Sequence, residues 1–212
     1  MNYDPRLLFL MRRLIEVHQQ HFFNQNIRIL DIGCADGKFM NIVEKHLPNL
    51  DRIDGVDVPS NWFDKEKIHS RGTIYVQSLE KSIGEIPLGF YHVVTFWEVL
   101  EHIEDIYSFL RNIRKLMVPG GVLLMTTPNL FSLSRFIKRQ NWIGIAEKDH
   151  KYLFDKLSLT MVLSRSGFPE TKVSGYFFPS IGKSLDIFNK LLAHSPGGGM
   201  LFAKSINVLN IS

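Results

Sequence analysis

Two glutamates and two histidines frame the chemistry this chain can carry. Glu98, Glu101 and His102 stand in the run Glu98-Val99-Leu100-Glu101-His102. If that run is helical, positions i, i+3 and i+4 share one face. Two carboxylates and an imidazole on one face form a candidate site for a divalent cation, and their oxygen-rich set favours Mg2+ or Mn2+ over a structural zinc. His150, in Asp149-His150-Lys151-Tyr152, is the candidate fourth ligand. Without a metal, His102 or His150 is a candidate general base, because imidazole titrates near neutral pH.

A second constellation lies upstream. Arg28-Ile29-Leu30-Asp31-Ile32 reads as a short apolar strand, and Gly33-Cys34-Ala35-Asp36-Gly37 as a tight turn into a helix. Gly33, Ala35 and Gly37 let a ligand lie against the main chain. Lys38 stands where a dinucleotide fingerprint places its third glycine. Asp31 would repel a pyrophosphate and attract an ammonium or a sulfonium. Cys34 reads as a small residue that fits the turn. Asp57, 26 positions after Asp31, ends a second strand. A carboxylate there can accept hydrogen bonds from both hydroxyls of a ribose, and Val58 can floor an adenine.

These groups need an alternating frame to hold them. A helix is expected from about Pro5 to Phe23, and another after Gly37, stopping near Pro48. Strands are expected at 52–57, 73–77, 91–96 and 122–127, with a helix through Phe109, Leu110, Ile113 and Leu116 closed by Pro119-Gly120-Gly121. Apolar central strands imply a parallel sheet covered on both faces. Trp62 and Phe63 read as packing residues. Residues 130–150 form a variable cap segment carrying Arg135, Lys138 and Arg139. A helix with Leu157, Leu159, Val162 and Leu163 follows, then strands at Glu170–Phe177 and Met200–Val208 around a helix at Ser184–Leu192. Ser195 to Gly199 reads as a turn, and residues 1–212 as one domain.

The run Asp31-x-Gly33-x-Ala35-x-Gly37 resembles motif I of the class I S-adenosyl-L-methionine (AdoMet) methyltransferases, with Ala35 in place of the middle glycine. The Glu98–His102 run, the Pro119-Gly120-Gly121 stop and the Thr127-Pro128-Asn129 ending resemble ubiquinone-pathway O-methyltransferases. The pairing of that run with Asp149–Tyr152 is similar to the small-RNA 2′-O-methyltransferases. The resemblance implies an α/β fold: a seven-stranded, mostly parallel Rossmann-like sheet with helices on both faces. It implies AdoMet as cofactor, with Asp31 at the methionine end, Gly33, Cys34, Ala35 and Gly37 lining it, and Asp57 on the ribose. Val58, Ser78, Leu79 and Trp97 complete that set; Ser78 stands where the family commonly has an Asp for the adenine amino group, and His92 also replaces a usual acid. In the RNA relatives the two glutamates and both histidines hold Mg2+ or Mn2+ against a vicinal diol. The implied activity is O-methylation of a small-molecule or glycan hydroxyl. The alternatives are metal-dependent RNA ribose 2′-O-methylation and a non-catalytic AdoMet-binding partner protein.

Composition bounds these readings. The chain has 212 residues, 45% hydrophobic and 22% charged, as an ordinary globular domain has. A net charge of +4 suits an anionic acceptor better than it marks a nucleic-acid surface. One cysteine excludes an intrachain disulfide and makes a reducing, cytoplasmic setting the expectation. No apolar run approaches a transmembrane length.

Overall fold

The computed structural model describes residues 4–176 and 198–208. Seven strands, β1 (Ile27–Ile32), β2 (Leu50–Asp57), β3 (Ile74–Val76), β4 (Tyr91–Trp97), β5 (Met117–Pro128), β6 (Glu170–Tyr176) and β7 (Met200–Ile206), form one sheet. Their spatial order is β3-β2-β1-β4-β5-β7-β6. Strands β1 to β5 pair in parallel, and β7 runs antiparallel to both β5 and β6. Strand order reverses between β1 and β4, so a crevice opens beyond their carboxyl ends.

Successive side chains of a strand point to opposite faces, and β1 shows what that does. Ile27 and Ile29 join one apolar layer with α1 (Pro5–His21) and α2 (Lys38–His46). Leu30 and Ile32 join the other, with α4 (Ile106–Leu116) and α7 (Lys156–Arg165). Burial of both faces explains why the central strands read as continuous apolar runs. Asp4 caps α1 by accepting from Arg6 N at 2.7 Å, and Pro5 stands in its first turn. No helix among the described residues is long and apolar enough to cross a membrane.

Several expectations are corrected. The Glu98–His102 run is not helical in the way its spacing suggested. Glu98 takes φ +56, and only a 3-10 turn, Leu100–His102, follows. Pro119-Gly120-Gly121 does not end the preceding helix: α4 stops at Leu116, and those residues lie within β5, with Gly120 at φ +75. A short helix, α3 (Leu79–Ser82), intervenes between β3 and β4. The cap folds into two short helices, α5 (Leu133–Lys138) and α6 (Ile143–Ala146). In α7, Leu159 and Leu163 are buried, whereas Leu157 faces solvent. Trp62 is 82% exposed and is not a packing residue, while Phe63 does pack on the α1–α2 layer. The helix expected at Ser184–Leu192, Phe177 and residues 195–197 of the Ser195 to Gly199 turn lie outside the described residues.

Candidate active site

The turn after β1 is built by backbone geometry. Gly33 (φ +75) donates from its N–H to Val56 O at 2.7 Å, tying the turn to β2. A Cβ on Gly33 would lie 2.5 Å from Val99 Cγ2, so a larger residue would be strained and would have to displace Val99. Ala35 holds φ +49, a left-handed conformation that costs a non-glycine residue roughly 1–2 kcal/mol. Its N–H donates to Asp57 Oδ2 at 2.6 Å, and Val58 N–H donates to Asp57 Oδ1 at 2.7 Å. Asp57 therefore fastens the turn as well as facing the crevice. Burial raises its carboxyl above the ordinary range, against the pull of those two donors. Gly37 (φ +70) is the N-cap of α2, and a Cβ there would lie 2.7 Å from Ile68 Cγ1. Its role is to seat α2 against residue 68, and it is absent from the crevice walls described next.

The crevice has two lobes that share Gly33, Ala35, Trp97 and Glu98. The larger, about 470 Å³, is lined by Asp57, Val58, Ser78, Leu79 and His102, with Trp62 at its wall. The smaller, about 220 Å³, is lined by Asp31 and Cys34 and by Asp4 and Arg6 at the start of α1. Sequence reading missed Asp4, Arg6 and Trp62. Nothing in the apolar period of α1 points to its polar first turn, and a lone exposed tryptophan carries no pattern.

Asp31 is 1% exposed and accepts from Thr95 Oγ1 at 2.6 Å. Burial pushes its carboxyl up to about 7; the Thr95 bond works against that and the charge of Asp57 adds to it. The Cys34 thiol is pushed far up by burial and then by Asp31 and Asp57, which makes it a poor nucleophile. Trp97 stands edge-on to Phe39 at 5.1 Å, with its buried Nε1 unpartnered among the described residues. Glu98 N–H donates to Thr126 O at 3.0 Å, fixing the end of β4 to β5. Burial raises its carboxyl first of all, with Arg6 pulling it down and Glu147 pushing it up.

Beside the larger lobe, Glu101, His102 and His150 each bring one ligand atom into a group spanning no more than 4.8 Å. Glu98 is not in this group, because its left-handed backbone breaks the shared face on which the four-ligand expectation rested. Glu101 is fully buried. Its Oε2 accepts from Thr127 Oγ1 at 3.0 Å, and its Oε1 has no partner among the described residues. Burial is the main reason that its carboxyl is pushed up to about 8.

Both imidazoles are oriented from behind. His102 Nδ1 lies 3.3 Å from Asp149 O, and His150 Nδ1 lies 3.2 Å from Gly144 O. A carbonyl can only accept, so each Nδ1 carries a proton, and the neutral His102 ring keeps its lone pair at Nε2. His150 Nε2 lies 3.3 Å from Glu147 Oε2. Burial, and then His150, lowers the pKa of His102, which favours its neutral form. The loop carrying His150 is held by main-chain bonds: Lys151 N–H and Tyr152 N–H donate to Glu101 O at 2.8 and 3.3 Å. Lys151 Nζ also meets Glu104 Oε1 at 2.7 Å, and Tyr152 OH donates to Glu104 O at 3.1 Å.

Residues 7–172 match the model of a family described as a methyltransferase domain. The ubiquinone biosynthesis O-methyltransferase of Aliivibrio fischeri (strain MJ11) is 25% identical over 176 residues, covering 76% of this chain and 74% of that protein. Its namesake from Proteus mirabilis is 32% identical over 108 residues, covering 48% of this chain and 42% of that protein. Among solved structures, a SAM-dependent methyltransferase from Archaeoglobus fulgidus superposes with a TM-score of 0.66 at 17% identity, covering 93% of both chains. The AdoMet complex of Haemonchus contortus phosphoethanolamine N-methyltransferase 2 gives 0.65 at 15% identity, covering 94% of this chain and 53% of that one. At these identities the structures establish the fold.

Proposed function

This chain belongs to the methyltransferase-domain family and is an AdoMet-dependent methyltransferase, and we propose that it methylates a hydroxyl of a small molecule that carries a second oxygen beside the first. One observation carries the acceptor reading: His102 belongs both to the Glu101–His102–His150 group and to the wall of the larger lobe. A hydroxyl seated against that wall meets a proton acceptor where the cofactor crevice ends. The curated relatives are named for ubiquinone biosynthesis, which favours a catechol-type acceptor over a ribose.

The crevice fits the cofactor in parts. Asp57 would accept from the ribose hydroxyls, with Val58 and Leu79 against the adenine and Ser78 as a polar contact. Asp31 would sit under the cationic methionine end, with Glu98 and Arg6 beside it. Transfer forms the acceptor O–C bond as the S–C bond breaks. Sulfur keeps the electron pair, and the hydroxyl proton leaves to a base. The donor is already activated, so the protein's work is alignment and exclusion of water.

Glu101, His102 and His150 would hold a divalent cation. The unpartnered Glu101 Oε1 and the two imidazoles with Nδ1 anchored on carbonyls form a donor set for it, in which His150 Nε2 would exchange its contact with Glu147 Oε2 for the ion. With Glu98 outside the group, two nitrogens and one carboxylate suit Mn2+ better than Mg2+. The chemistry the ion would supply there is a lowered pKa of the acceptor hydroxyl beside His102. Without it, His102 Nε2 is the base.

Two measurements test the reading. Calorimetry should show AdoMet binding, and incubation with labelled AdoMet should label catechols ahead of sugars or nucleosides, with activity lost to EDTA and restored by Mn2+. Labelling of nucleosides alone would sink the small-molecule assignment. Undiminished activity in EDTA would leave His102 as a general base.

A further inference from the structure

A second cavity, of about 210 Å³, lies against α1 on the β6–β7 side of the sheet and shares no lining residue with the cofactor crevice. It is lined by three cations, Arg13, Lys172 and Lys204, with Ser174 and Gln20 as neutral polar groups and Glu16 as the one acid. Lys172 and Lys204 are direct partners across β6 and β7, so their side chains share one face of the sheet. Like charges so placed destabilise a sheet. Glu16 relieves them only in part, because its Oε2 is held by Arg13 Nη1 at 2.8 Å. Among the described residues, Lys204 Nζ meets neutral acceptors, Gln20 Oε1 at 3.2 Å and His21 Nε2 at 3.4 Å. The Arg13 guanidinium is fixed between rings, 5.0 Å from Phe9 and 5.6 Å from Phe202, and its Nε is buried without a partner among the described residues.

We infer that this cavity binds a phosphate group, with the Lys172 and Lys204 ammoniums as its charge partners, Arg13 as the preorganised donor and Ser174 as a neutral one. Counter-charge is what the cavity lacks: the cross-strand pair Lys172 and Lys204 and the Arg13 side chain line one recess, large enough for a small dianion, against the single acid Glu16. Burial, and then Lys172, holds the Lys204 ammonium below its ordinary pKa, with Glu16 pulling the other way. Planar guanidinium and point-charge ammoniums together form the usual donor set for phosphate oxygens. The far end of α1 supplies Asp4 and Arg6 to the cofactor crevice, so an anion at Arg13 would brace the same helix.

The test compares the full chain with its Lys172→Gln/Lys204→Gln variant in inorganic phosphate, chloride being adjusted to constant ionic strength. Phosphate at roughly ten times its Kd should raise the Tm of the parent by about 3 °C. The variant should show no such rise, and without phosphate it should melt at or above the parent because the like-charge pair is gone. AdoMet affinity, read by calorimetry, should be equal in the two, which separates this proposal from the methyltransferase reading. A parallel sedimentation assay uses phosphatidylcholine vesicles with and without phosphatidic acid. Binding to phosphatidic acid vesicles without a response to free phosphate would assign the group to a lipid headgroup. A phosphate shift retained by the variant, or no response to either probe, overturns the proposal.

Discussion

The rings of His102 and His150 stand edge to face with their centroids 4.7 Å apart. Main-chain bonds from Lys151 and Tyr152 to Glu101 O impose this, so the two imidazoles are set by one loop docking on another and not by their own attraction.

Replacing His150 should therefore separate metal chemistry from cofactor binding. His150→Ala removes one ligand and leaves the loop bonds of Lys151 and Tyr152 intact. Turnover should fall by roughly 100-fold or more, and Mn2+ affinity by at least about tenfold. AdoMet affinity should stay within about twofold. Electron paramagnetic resonance of Mn2+ and calorimetry with AdoMet read the two effects; parallel loss of both affinities would place His150 in the scaffold instead.

Asp57→Ala should act twice. Loss of charge-assisted bonds to the ribose, worth roughly 1.5–3 kcal/mol, weakens AdoMet at least about tenfold. The same change frees Ala35 N–H and Val58 N–H, so the ligand-free protein should also lose stability by on the order of 1–2 kcal/mol. Calorimetry and urea unfolding separate these effects, and an unchanged AdoMet affinity would put Asp57 outside the site.

Asp31 sets a pH dependence of cofactor binding. Its carboxyl is pushed up to about 7, and a cationic methionine end favours the ionised form. AdoMet should bind about tenfold more tightly at pH 8 than at pH 6, with proton release during binding at the lower pH. Stability runs the other way. The folded state holds this proton over the window from the ordinary carboxyl value up to about 7, so its contribution to stability falls as pH rises through that window. In Asp31→Asn both trends should flatten. A binding constant that is level from pH 6 to pH 8 in the parent would refute the assignment.

Trp62 offers an optical readout. It is 82% exposed and belongs to the wall of the larger lobe. Trp62→Ala should leave the Tm within about 1 °C, since surface substitutions change stability little. It should weaken AdoMet several-fold by removing a ring from the wall of the larger lobe. Tryptophan fluorescence should respond to AdoMet in the parent, and a response undiminished in the variant would assign the signal to another tryptophan.

By itself the sequence determined what depends on near neighbours in the chain. Continuous apolar runs such as Val122 to Met125 mark strands buried on both faces, and helical spacing marks α1 and α4, so the sheet and these helices were legible. Gly33 and Gly37 announced a left-handed turn because glycine takes such φ values without steric cost. Asp57 was legible because it ends the strand beside that turn. Tertiary structure alone decided the rest. Helical spacing placed Glu98 with Glu101 and His102, but the bond from Glu98 N–H to Thr126 O and a φ of +56 take it out of their group. The glycines after Pro119 read as a helix stop, whereas main-chain bonds of Gly120 and Gly121 with Asn207 hold that segment in β5. Asp4 and Arg6 reach the crevice because α1 packs across the sheet, and His150 reaches His102 because its loop bonds to Glu101 O. Each of these depends on contacts between segments far apart in the chain, which no local period of side chains encodes.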